Sequence, residues 1–315
     1  MNFLRSCGTI SLTEVLPMKI FANLHTHSTH SDGPYSPAEL VKVAKAEGYG
    51  ALAITDHDTA TAYPELKKAC ADEGLECIFG VEFSVRVPKP YHILGYDFDP
   101  EYPAMKKYLA EMAARQTDNT KGCFDLAVKN GGIAGITWDE VLEFNRGIAW
   151  LCNNHVFNAM LAKGLVKQEN YMAWFIENFE VQRGYFPPSY DFKPLPELVE
   201  LIKAAGGFAI IAHPHGYLDD MDDLIALGIV GLEVCHPDLT EDEKERALEI
   251  ALEKGLFIGG GSDHSGLCGG MYDTMEDPTK SRHYIEPLST GNTELHFREL
   301  KARKIDKEAR AKIKY

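Results

Sequence analysis

The chain has 315 residues, of which 45% are hydrophobic and 25% charged. This is ordinary for a globular protein and is enough for one large α/β barrel or two average domains. The formal net charge of −15 argues against a protein that follows a nucleic-acid backbone, because such proteins concentrate Lys and Arg. No apolar run approaches the roughly 18 residues that cross a bilayer, and no Cys-x-x-Cys pair or secretory signal is present. We therefore expect a cytoplasmic protein with reduced thiols and no membrane or nucleic-acid polymer partner.

Strand-like and helix-like segments alternate up to about residue 100. Residues 1–17 are interpreted as an N-terminal extension, with Met18 as an alternative start of translation. A helix is expected over residues 36–47, because Ser36 suits an N-cap and Pro37 suits the first helical position. The other segments predicted in this part are strands at 20–24, 51–54, 77–81 and 91–94 and a helix at 62–73.

The alternation stops between residues 101 and 186, where helix formers dominate and Thr137 opens a capping-box pattern. We interpret this stretch as an inserted helical subdomain between two parts of one domain, residues 18–100 and 187–315. After it, the sequence predicts helices at 195–205, 220–227, 241–254 and 294–301 and strands at 208–212, 230–234 and 257–259. Repeated βα units predict an α/β fold with a mainly parallel sheet.

Ionisable side chains recur where the predicted strands end. His25 and His27 follow the first strand, and side chains two residues apart in an extended chain point to the same side, so both imidazoles can meet one ion. Each such residue alone is most simply a hydrogen-bonded or capping residue. Together they indicate metal ions at the ends of barrel strands, because burying many ionisable groups without partners is costly. The further members are Asp32, Asp56, His57, Asp58, Glu82, His92, His213, His215, Glu233, Asp263 and His264.

Eight short motifs follow one another along the chain: Leu24-His25-Thr26-His27-Ser28, Ser31-Asp32-Gly33, Ile54-Thr55-Asp56-His57-Asp58, Gly80-Val81-Glu82-Phe83-Ser84, His92-Ile93-Leu94-Gly95-Tyr96, Ala204-Ala205-Gly206-Gly207, Ala212-His213-Pro214 and Gly260-Gly261-Ser262-Asp263. In this order they resemble the PHP (polymerase and histidinol phosphatase) family of metal-dependent phosphoesterases. The resemblance implies a distorted, TIM-like (β/α)7 barrel with two or three divalent ions at the ends of its strands. Histidines with carboxylates favour Mn²⁺, Fe²⁺/Fe³⁺ or Zn²⁺.

Carried over position by position, the resemblance implies three groups of metal ligands. The first ion would be held by His25, His27, Asp263 and a bridging Glu82, and the second by Glu82, His92 and His213. The third would be held by Asp32, His57 and a histidine of the last motif. In the family that histidine usually comes two residues after the aspartate. Here His264 follows Asp263 directly. We take His264 as this ligand; without it the third ion would be weaker or absent.

A second departure concerns the predicted substrate contacts. Close members of the family often carry Arg-Pro-His where this chain has Asn153-Asn154-His155. We predict that Asn153 and His155 bind substrate, with an N-cap as the alternative role for Asn153. His215 is predicted to bind phosphate and to donate a proton, with a surface or supporting position as the alternative. Asp58 is the second residue predicted to be catalytic.

The function implied is hydrolysis of a phosphate ester by attack of a metal-bound hydroxide. The expected substrate is a small metabolite such as a nucleotide, a sugar phosphate or a cyclic phosphate. A polymer-directed 3′-5′ exonuclease-like protein is an alternative that the acidic composition disfavours. The others are an amidohydrolase-like enzyme and a non-catalytic metal-binding regulatory module, for which missing ligands would be expected. The sequence fixes neither the oligomeric state nor the substrate.

Overall fold

The structure, a computed structural model, describes residues 19–86, 88–180, 192–263 and 290–313. The strands in these ranges are β1 (Ile20–Asn23), β2 (Ala51–Leu52), β3 (Glu76–Cys77), β4 (Gly80–Ser84), β5 (His92–Tyr96), β6 (Phe208–Ile211), β7 (Gly231–Cys235), β8 (Phe257–Gly260) and β9 (Asn292–Thr293). The α-helices are α1 (Pro37–Ala46), α2 (Tyr63–Glu73), α3 (Pro103–Lys129), α4 (Trp138–Phe144), α5 (Asn153–Ala162), α6 (Tyr171–Phe175), α7 (Leu195–Ala204), α8 (Met221–Ala226), α9 (Glu241–Lys254), α10 (Glu294–Ala302) and α11 (Lys307–Arg310). The predicted extension, residues 1–17, lies outside the described ranges.

The strands form two sheets, one of four strands in the order β3-β2-β1-β9 and one of five in the order β4-β5-β6-β7-β8. Backbone hydrogen bonds link the two: the amide of Glu82 donates to Thr55 at 3.1 Å, that of Asp58 to Glu82 at 2.9 Å, and that of Leu24 to Gly260 at 3.2 Å. The α/β class is therefore confirmed. The predicted closed (β/α)7 barrel is not seen among the described strands, which form no closed sheet.

The sheets are mixed: four of the seven strand pairings in the described ranges are parallel and three are antiparallel, more than the predicted mainly parallel sheet implied. β5 runs antiparallel to both β4 and β6, and β9 runs antiparallel to β1. The β4–β5 connection is too short for a crossover helix, and such a link can only join antiparallel neighbours. As a consequence the first residue of β5, His92, lies at the carboxyl ends of the strands beside it.

The helix starts follow the capping residues of the sequence. Ser36 caps α1 and Thr137 caps α4. In each cap the side-chain oxygen accepts the amide of the glutamate three residues on, and the cap amide donates to that glutamate's carboxylate, which confirms both predicted caps. The strand predicted at 77–81 is instead two strands, β3 and β4. The two-residue β9 was not predicted, because two residues are too few to show a period.

Helices α3 to α6 follow β5 and have an apolar core of their own, built around residues such as Phe124, Val141, Phe157 and Trp174. A separate core of residues such as Phe83, Ile202 and Leu232 fills the space beside the five-stranded sheet. The boundary predicted at residues 186 and 187 lies outside the described ranges, so the inserted subdomain stays a prediction. None of the helices in the described part of the chain combines the length and hydropathy of a membrane span.

Candidate active site

The first two histidines leave β1 side by side and fully buried. The Nε2 atoms of His25 and His27 are 3.3 Å apart and face the same carboxylates. His27 Nε2 is 3.1 Å from Glu82 Oε2 and 3.0 Å from Asp263 Oδ1, and His25 Nε2 is 3.2 Å and 3.5 Å from the same two atoms. A Cβ at Gly261 would overlap the His25 backbone, so only glycine permits this approach. The structure thus brings together the first predicted ligand group.

Glu82, 1% exposed, is the centre of the site. Its Oε2 atom faces His25, His27 and His57, the last with Nδ1 at 3.2 Å. Its Oε1 atom lies 2.9 Å from His92 Nδ1 and 3.1 Å from His213 Nε2. The second predicted group is therefore also assembled, and one carboxylate touches both.

The third predicted group is looser. Asp32 Oδ1 is 3.4 Å from His27 Nδ1, and Asp32 Oδ2 is 3.8 Å from His57 Nε2. One donor atom from each of these three residues lies within 4.8 Å of the others. Its fourth predicted member, His264, lies outside the described residues.

The donor set suits divalent ions on grounds of the structure itself. Glu82 Oε2 and His57 Nδ1 are buried and have no hydrogen-bond partner of acceptable geometry among the described atoms. Atoms of this kind are costly to bury unless an ion meets them. Nitrogen and oxygen donors without thiolate fit Mn²⁺, iron or Zn²⁺. The residues present therefore fit the implied metal centre.

Electrostatic coupling within the cluster is strong. Burial alone would lower the pKa of His25, but the carboxylates of Glu233, Glu82 and Asp263 outweigh it and raise that pKa well above its usual value. The pKa of His27 is likewise raised against burial, with Asp32 the largest opposing contribution. Burial also disfavours the charged carboxylate of Glu82, yet the surrounding imidazoles hold its pKa well below the usual range. The cluster therefore stabilises positive charge placed among its carboxylates.

Other buried carboxylates hold the ligands in place. Glu233 Oε2 lies 3.1 Å from His25 Nδ1 and accepts the His213 amide at 2.8 Å, which leaves His25 Nε2 free to face the cluster. Asp56 accepts bonds from the Ser28 amide and hydroxyl, both at 2.7 Å, and from the Ser31 hydroxyl at 2.5 Å. These bonds fix the loop that carries His27 and Asp32.

Three members of the site have a backbone conformation that non-glycine residues rarely adopt. Asp58, His213 and Asp263 have φ angles of 49°, 26° and 50°, and only Asp97 and Arg303 share a positive φ among the described non-glycine residues. Backbone strain of this kind concentrates at functional sites, where the surrounding structure enforces it.

His236 belongs to the site but was not predicted. It follows β7, is 1% exposed, and places Nε2 3.5 Å from Asp263 Oδ2. Its ring centroid lies 5.7 Å from that of His25 and 5.3 Å from that of His213. The sequence contained a signal, because His236-Pro237 repeats after β7 the His213-Pro214 pattern found after β6.

A cavity of about 450 Å³ opens over the cluster. Asp32, His57, Asp58 and His92 form its inner end. Asp58 is 3% exposed and accepts the Ser84 amide at 3.0 Å, and burial raises its pKa to about 6. The outer wall is largely aromatic and amide-bearing, with one guanidinium, and comprises Arg86, Gln116, Trp150, Asn153, Asn154, Tyr171, Phe175 and Phe192.

The predicted substrate residues differ in where they lie. Asn153 lines the cavity and donates to Tyr171 Oη at 2.7 Å; it is the first residue of α5, whose N-cap is Cys152, so the alternative N-cap role is not found. His155 does not line this cavity. Its Nδ1 accepts the Cys152 amide at 2.9 Å and its Nε2 lies 3.1 Å from the Thr29 carbonyl, so both ring nitrogens are engaged by backbone.

His215 is also absent from the cavity wall. Its side chain is 62% exposed, and its Nδ1 pairs with Glu243 near the start of α9 at 3.0 Å. The turn after β6 carries the ring outwards, although His213 two residues earlier faces Glu82. The alternative of a surface position therefore describes the location of His215, and a catalytic role for it stays an untested prediction.

Comparisons with known proteins place the chain among proteins with the same domain. The model of the PHP domain matches residues 23–178. A Haemophilus influenzae protein named 5′-3′ exoribonuclease is 32% identical over 258 residues, covering 78% of this chain and 90% of that protein. An Eggerthella lenta protein named phosphoribosyl 1,2-cyclic phosphate 1,2-diphosphodiesterase is 28% identical, covering 78% and 95%. A Chromobacterium violaceum protein named 3′,5′-nucleoside bisphosphate phosphatase is 29% identical, covering 76% and 86%.

A solved structure agrees with these relatives. The crystal structure of a candidate metal-dependent phosphoesterase from Bifidobacterium adolescentis superposes with a TM-score of 0.72 at 26% identity, covering 92% of this chain and 98% of that one. The match spans both the strands that carry the histidines and the helices that follow β5. The resemblance noted in the motifs is thus confirmed: the chain belongs to the PHP domain family.

Proposed function

We propose that this chain is a metal-dependent phosphoesterase that acts on a small phosphorylated substrate. The observation that carries the proposal is the environment of Glu82. Its Oε2 atom lies within 3.2 Å of three imidazole nitrogens, and its Oε1 atom lies within 3.1 Å of two others. A buried carboxylate with both oxygens facing ring nitrogens suits two neighbouring ions that share it.

The residues proposed to hold the ions are those the motifs implied. His25, His27, Asp263 and Glu82 would hold one ion, and Glu82, His92 and His213 a second. Asp32, His57 and His264 are proposed for a third. When bound, Mn²⁺, iron or Zn²⁺ lowers the pKa of water and neutralises charge on phosphoryl oxygens.

The chain's own residues around the ions have distinct tasks. Glu233 fixes the His25 ring by its contact with Nδ1, and Asp56 fixes the loop of His27 and Asp32. Asp58 stays a proposed catalytic residue, because its carboxyl lies at the inner end of the cavity beside His57 and His92. Asp58 is therefore placed to contact a phosphoryl group and to exchange a proton with it, whereas Glu233 and Asp56 act through the ligands that they hold.

The outer wall of the cavity favours a substrate with an aromatic base and more than one anionic group. The Trp150 ring stacks over His57 at a centroid distance of 5.8 Å and so connects the aromatic wall to the histidine cluster. Tyr171 and Phe175 continue this wall. Aromatic faces bind bases by stacking. Arg86, held over the Phe192 ring at 5.3 Å, can contact a phosphate that does not react.

Arg86 is placed to take over the role of the arginine that close family members often carry where this chain has Asn153. It lies beyond β4, on a different element from α5, and it is the sole Lys or Arg among the described residues that line this cavity. No described residue forms an ion pair with it. We propose that Arg86 supplies the phosphate contact that Asn153 cannot, and that Asn153 binds a neutral part of the substrate.

A second candidate function is 5′-3′ exoribonuclease activity. The similarity to the Haemophilus influenzae protein of that name favours it. The net charge of −15 does not favour long RNA, because the phosphate backbone requires basic surface. A short 5′-phosphorylated RNA end could still enter a cavity of this kind.

A substrate screen tests these alternatives. Purified protein loaded with Mn²⁺ would be incubated with 3′,5′-nucleoside bisphosphates, 5′-nucleotides, a ribose cyclic phosphate, sugar phosphates and a 5′-phosphorylated RNA oligomer. We expect phosphate release from nucleoside phosphates, most of all from the bisphosphates, and none from protein treated with a chelator. The matched control is Glu82→Gln, which keeps the side-chain volume but removes the charge.

The outcomes separate the candidates clearly. Release of mononucleotides from the RNA oligomer with little action on bisphosphates would favour the exoribonuclease. Turnover that survives both the chelator and Glu82→Gln would refute the metal-dependent mechanism altogether.

A further inference from the structure

We propose that His236 is a positioning residue, which orients the Asp263 carboxylate so that its other oxygen faces His25 and His27. The proposal rests on the metal centre proposed above. None of the eight motifs that carry the family resemblance contains His236. The inference follows instead from the hydrogen bonds around its ring.

The proton of the His236 ring can be placed on one nitrogen. Nδ1 accepts a hydrogen bond from the Asp238 amide at 3.1 Å, so Nδ1 carries no proton. The proton of the neutral ring is therefore on Nε2. Nε2 is fully buried, has no partner of good hydrogen-bond geometry among the described atoms, and has Asp263 Oδ2 as its nearest acceptor, at 3.5 Å. A small movement of either side chain completes this bond.

The Asp263 carboxylate is oriented to receive this bond. Its Oδ1 atom faces His27 Nε2 at 3.0 Å and His25 Nε2 at 3.5 Å, which leaves Oδ2 on the side of His236. Its backbone is held by the bond from its amide to the His25 carbonyl at 2.9 Å, at a φ of 50°. The side chain is 24% exposed, more than the other members of the first ligand group, so the carboxylate is the least enclosed of the four.

Direct ligation by His236 is the competing explanation, because His25, Glu233 and His236 also form a group that could hold an ion. The distances favour Asp263 as the partner of His236, with Oδ2 at 3.5 Å from Nε2. Glu233 Oε2 already faces His25 Nδ1 and accepts the His213 amide, and its distance to His236 Nε2 is 3.9 Å. A ring that hydrogen-bonds the second oxygen of a ligating carboxylate fixes the direction of that ligand, and loss of such a partner typically lowers metal affinity about 10- to 100-fold.

Two substitutions separate the roles of the two ring nitrogens, because each replaces the hydrogen-bonding function of only one of them. In His236→Gln the side-chain amide NH₂ takes the place of Nε2–H and can donate to Asp263. In His236→Asn the amide oxygen takes the place of Nδ1 and can accept from Asp238, but nothing reaches Asp263. A purely structural role predicts that Asn, which keeps the local turn, is the milder change. A positioning role predicts that Gln is.

The experiment is a titration of each metal-free protein with Mn²⁺, read by calorimetry, together with the melting temperature. We expect His236→Asn to bind one Mn²⁺ about 10- to 100-fold more weakly, and His236→Gln to recover most of that loss. The melting temperatures of the two metal-free variants should differ much less than their affinities. Circular dichroism of both variants checks that they fold.

Each other outcome overturns the proposal. Equal Mn²⁺ affinity in wild type and His236→Asn would show that His236 orients nothing. Equal and severe loss in both variants would make His236 a direct ligand. If wild-type protein binds no divalent ion, the proposed metal centre fails and the role of His236 fails with it, whereas the first two results leave that centre intact. If neither variant folds, His236→Phe takes their place, because it removes both ring nitrogens and keeps an aromatic ring. A folded His236→Phe protein that binds Mn²⁺ with wild-type affinity would refute the proposal.

Discussion

The strand ends around Glu82 and the helices after β5 differ in the kind of side chain that fills their interiors. Around Glu82 the interior is filled with ionisable groups, and Glu82 and Glu233 are no more than 1% exposed. The helices have an ordinary apolar core, and four of the six large hydrophobic side chains exposed in the described ranges lie on or between them: Val128, Leu142, Phe144 and Leu165. A fifth, Ile176, directly follows α6. The strand ends hold the candidate metal ligands, and the helices supply part of the cavity wall beside them.

The largest effect should come from Glu82 itself. Glu82→Gln removes the charge that faces five imidazoles, and we expect Mn²⁺ binding and phosphate release to fall by more than about 100-fold, since indirect partners alone give 10- to 100-fold losses. The matched control is Glu299→Gln, another buried glutamate, which pairs with Arg310 far from the cluster. It should destabilise the fold by about 3–5 kcal/mol, because it breaks a buried ion pair, while the rate of folded protein stays unchanged.

Urea unfolding and phosphate release measured on both glutamate variants provide the check. If Glu299→Gln reduced the turnover of folded protein as strongly as Glu82→Gln does, the effect of Glu82→Gln would not be specific to the histidine cluster.

The next effect should come from Asp56, which supports ligands without facing the cavity. Asp56→Asn keeps the shape but replaces one accepting oxygen by a donor beside the Ser28 amide and the Ser31 hydroxyl. We expect about 10- to 100-fold weaker Mn²⁺ binding because the loop of His27 loses its anchor. Calorimetric titration measures this. Unchanged affinity would mean that the loop is held by other contacts.

A smaller effect is expected at the outer wall. Arg86→Ala should raise KM about tenfold for a substrate with two phosphates and leave kcat nearly unchanged, because one charged hydrogen bond is worth about 1.5–3 kcal/mol at most. Arg86→Lys should recover part of the loss, and substrates with one phosphate should be little affected. Steady-state kinetics with paired mono- and bisphosphates test this. A loss in kcat alone, equal for both substrates, would contradict the assignment of Arg86 to recognition.

The smallest effect concerns stability rather than catalysis. Burial lowers the pKa of His155 from 6.5 to about 4 in the folded protein. Between these values the unfolded chain binds a proton that the folded chain does not, so stability falls as the pH drops from about 6.5 to 4. The loss from this group is up to about 3 kcal/mol.

His155→Gln serves as the reference for that pH dependence. The stability difference between wild type and the variant, measured by urea unfolding, should shrink on acidification through this window. A difference that stays constant with pH would show that His155 titrates normally.

The strand-end residues were predictable from sequence because their function imposes a pattern. Glu82 and His92 lie within short strands, His213 and Asp263 follow such strands, and the structure brings all four to one place. The sequence did hold the cue that β5 runs antiparallel, because the link between the strands predicted at 77–81 and 91–94 is too short for a crossover helix, although periodicity alone shows no strand direction. It could not place His215, because the turn after β6 decides which of two histidines faces inwards.

The outer wall was less accessible to prediction. Arg86 and Trp150 carry no spacing signal, and they reach the cavity from different segments: Arg86 follows β4, and Trp150 lies between α4 and α5. His155 shows the converse: a matching motif led to a substrate role, yet its two ring nitrogens are satisfied by backbone groups of Cys152 and Thr29. Side chains that serve the fold and those that serve a ligand look alike in sequence.

The most direct test of the central claim, that Glu82 is shared between ions, is anomalous diffraction at the manganese edge from crystals of the full chain grown with Mn²⁺. We predict at least two anomalous peaks, each within about 2.0–2.3 Å of a Glu82 oxygen, one beside His25 and His27 and the other beside His92 and His213. Ordered crystals with Mn²⁺ peaks only elsewhere, or with none at Glu82, would contradict the account.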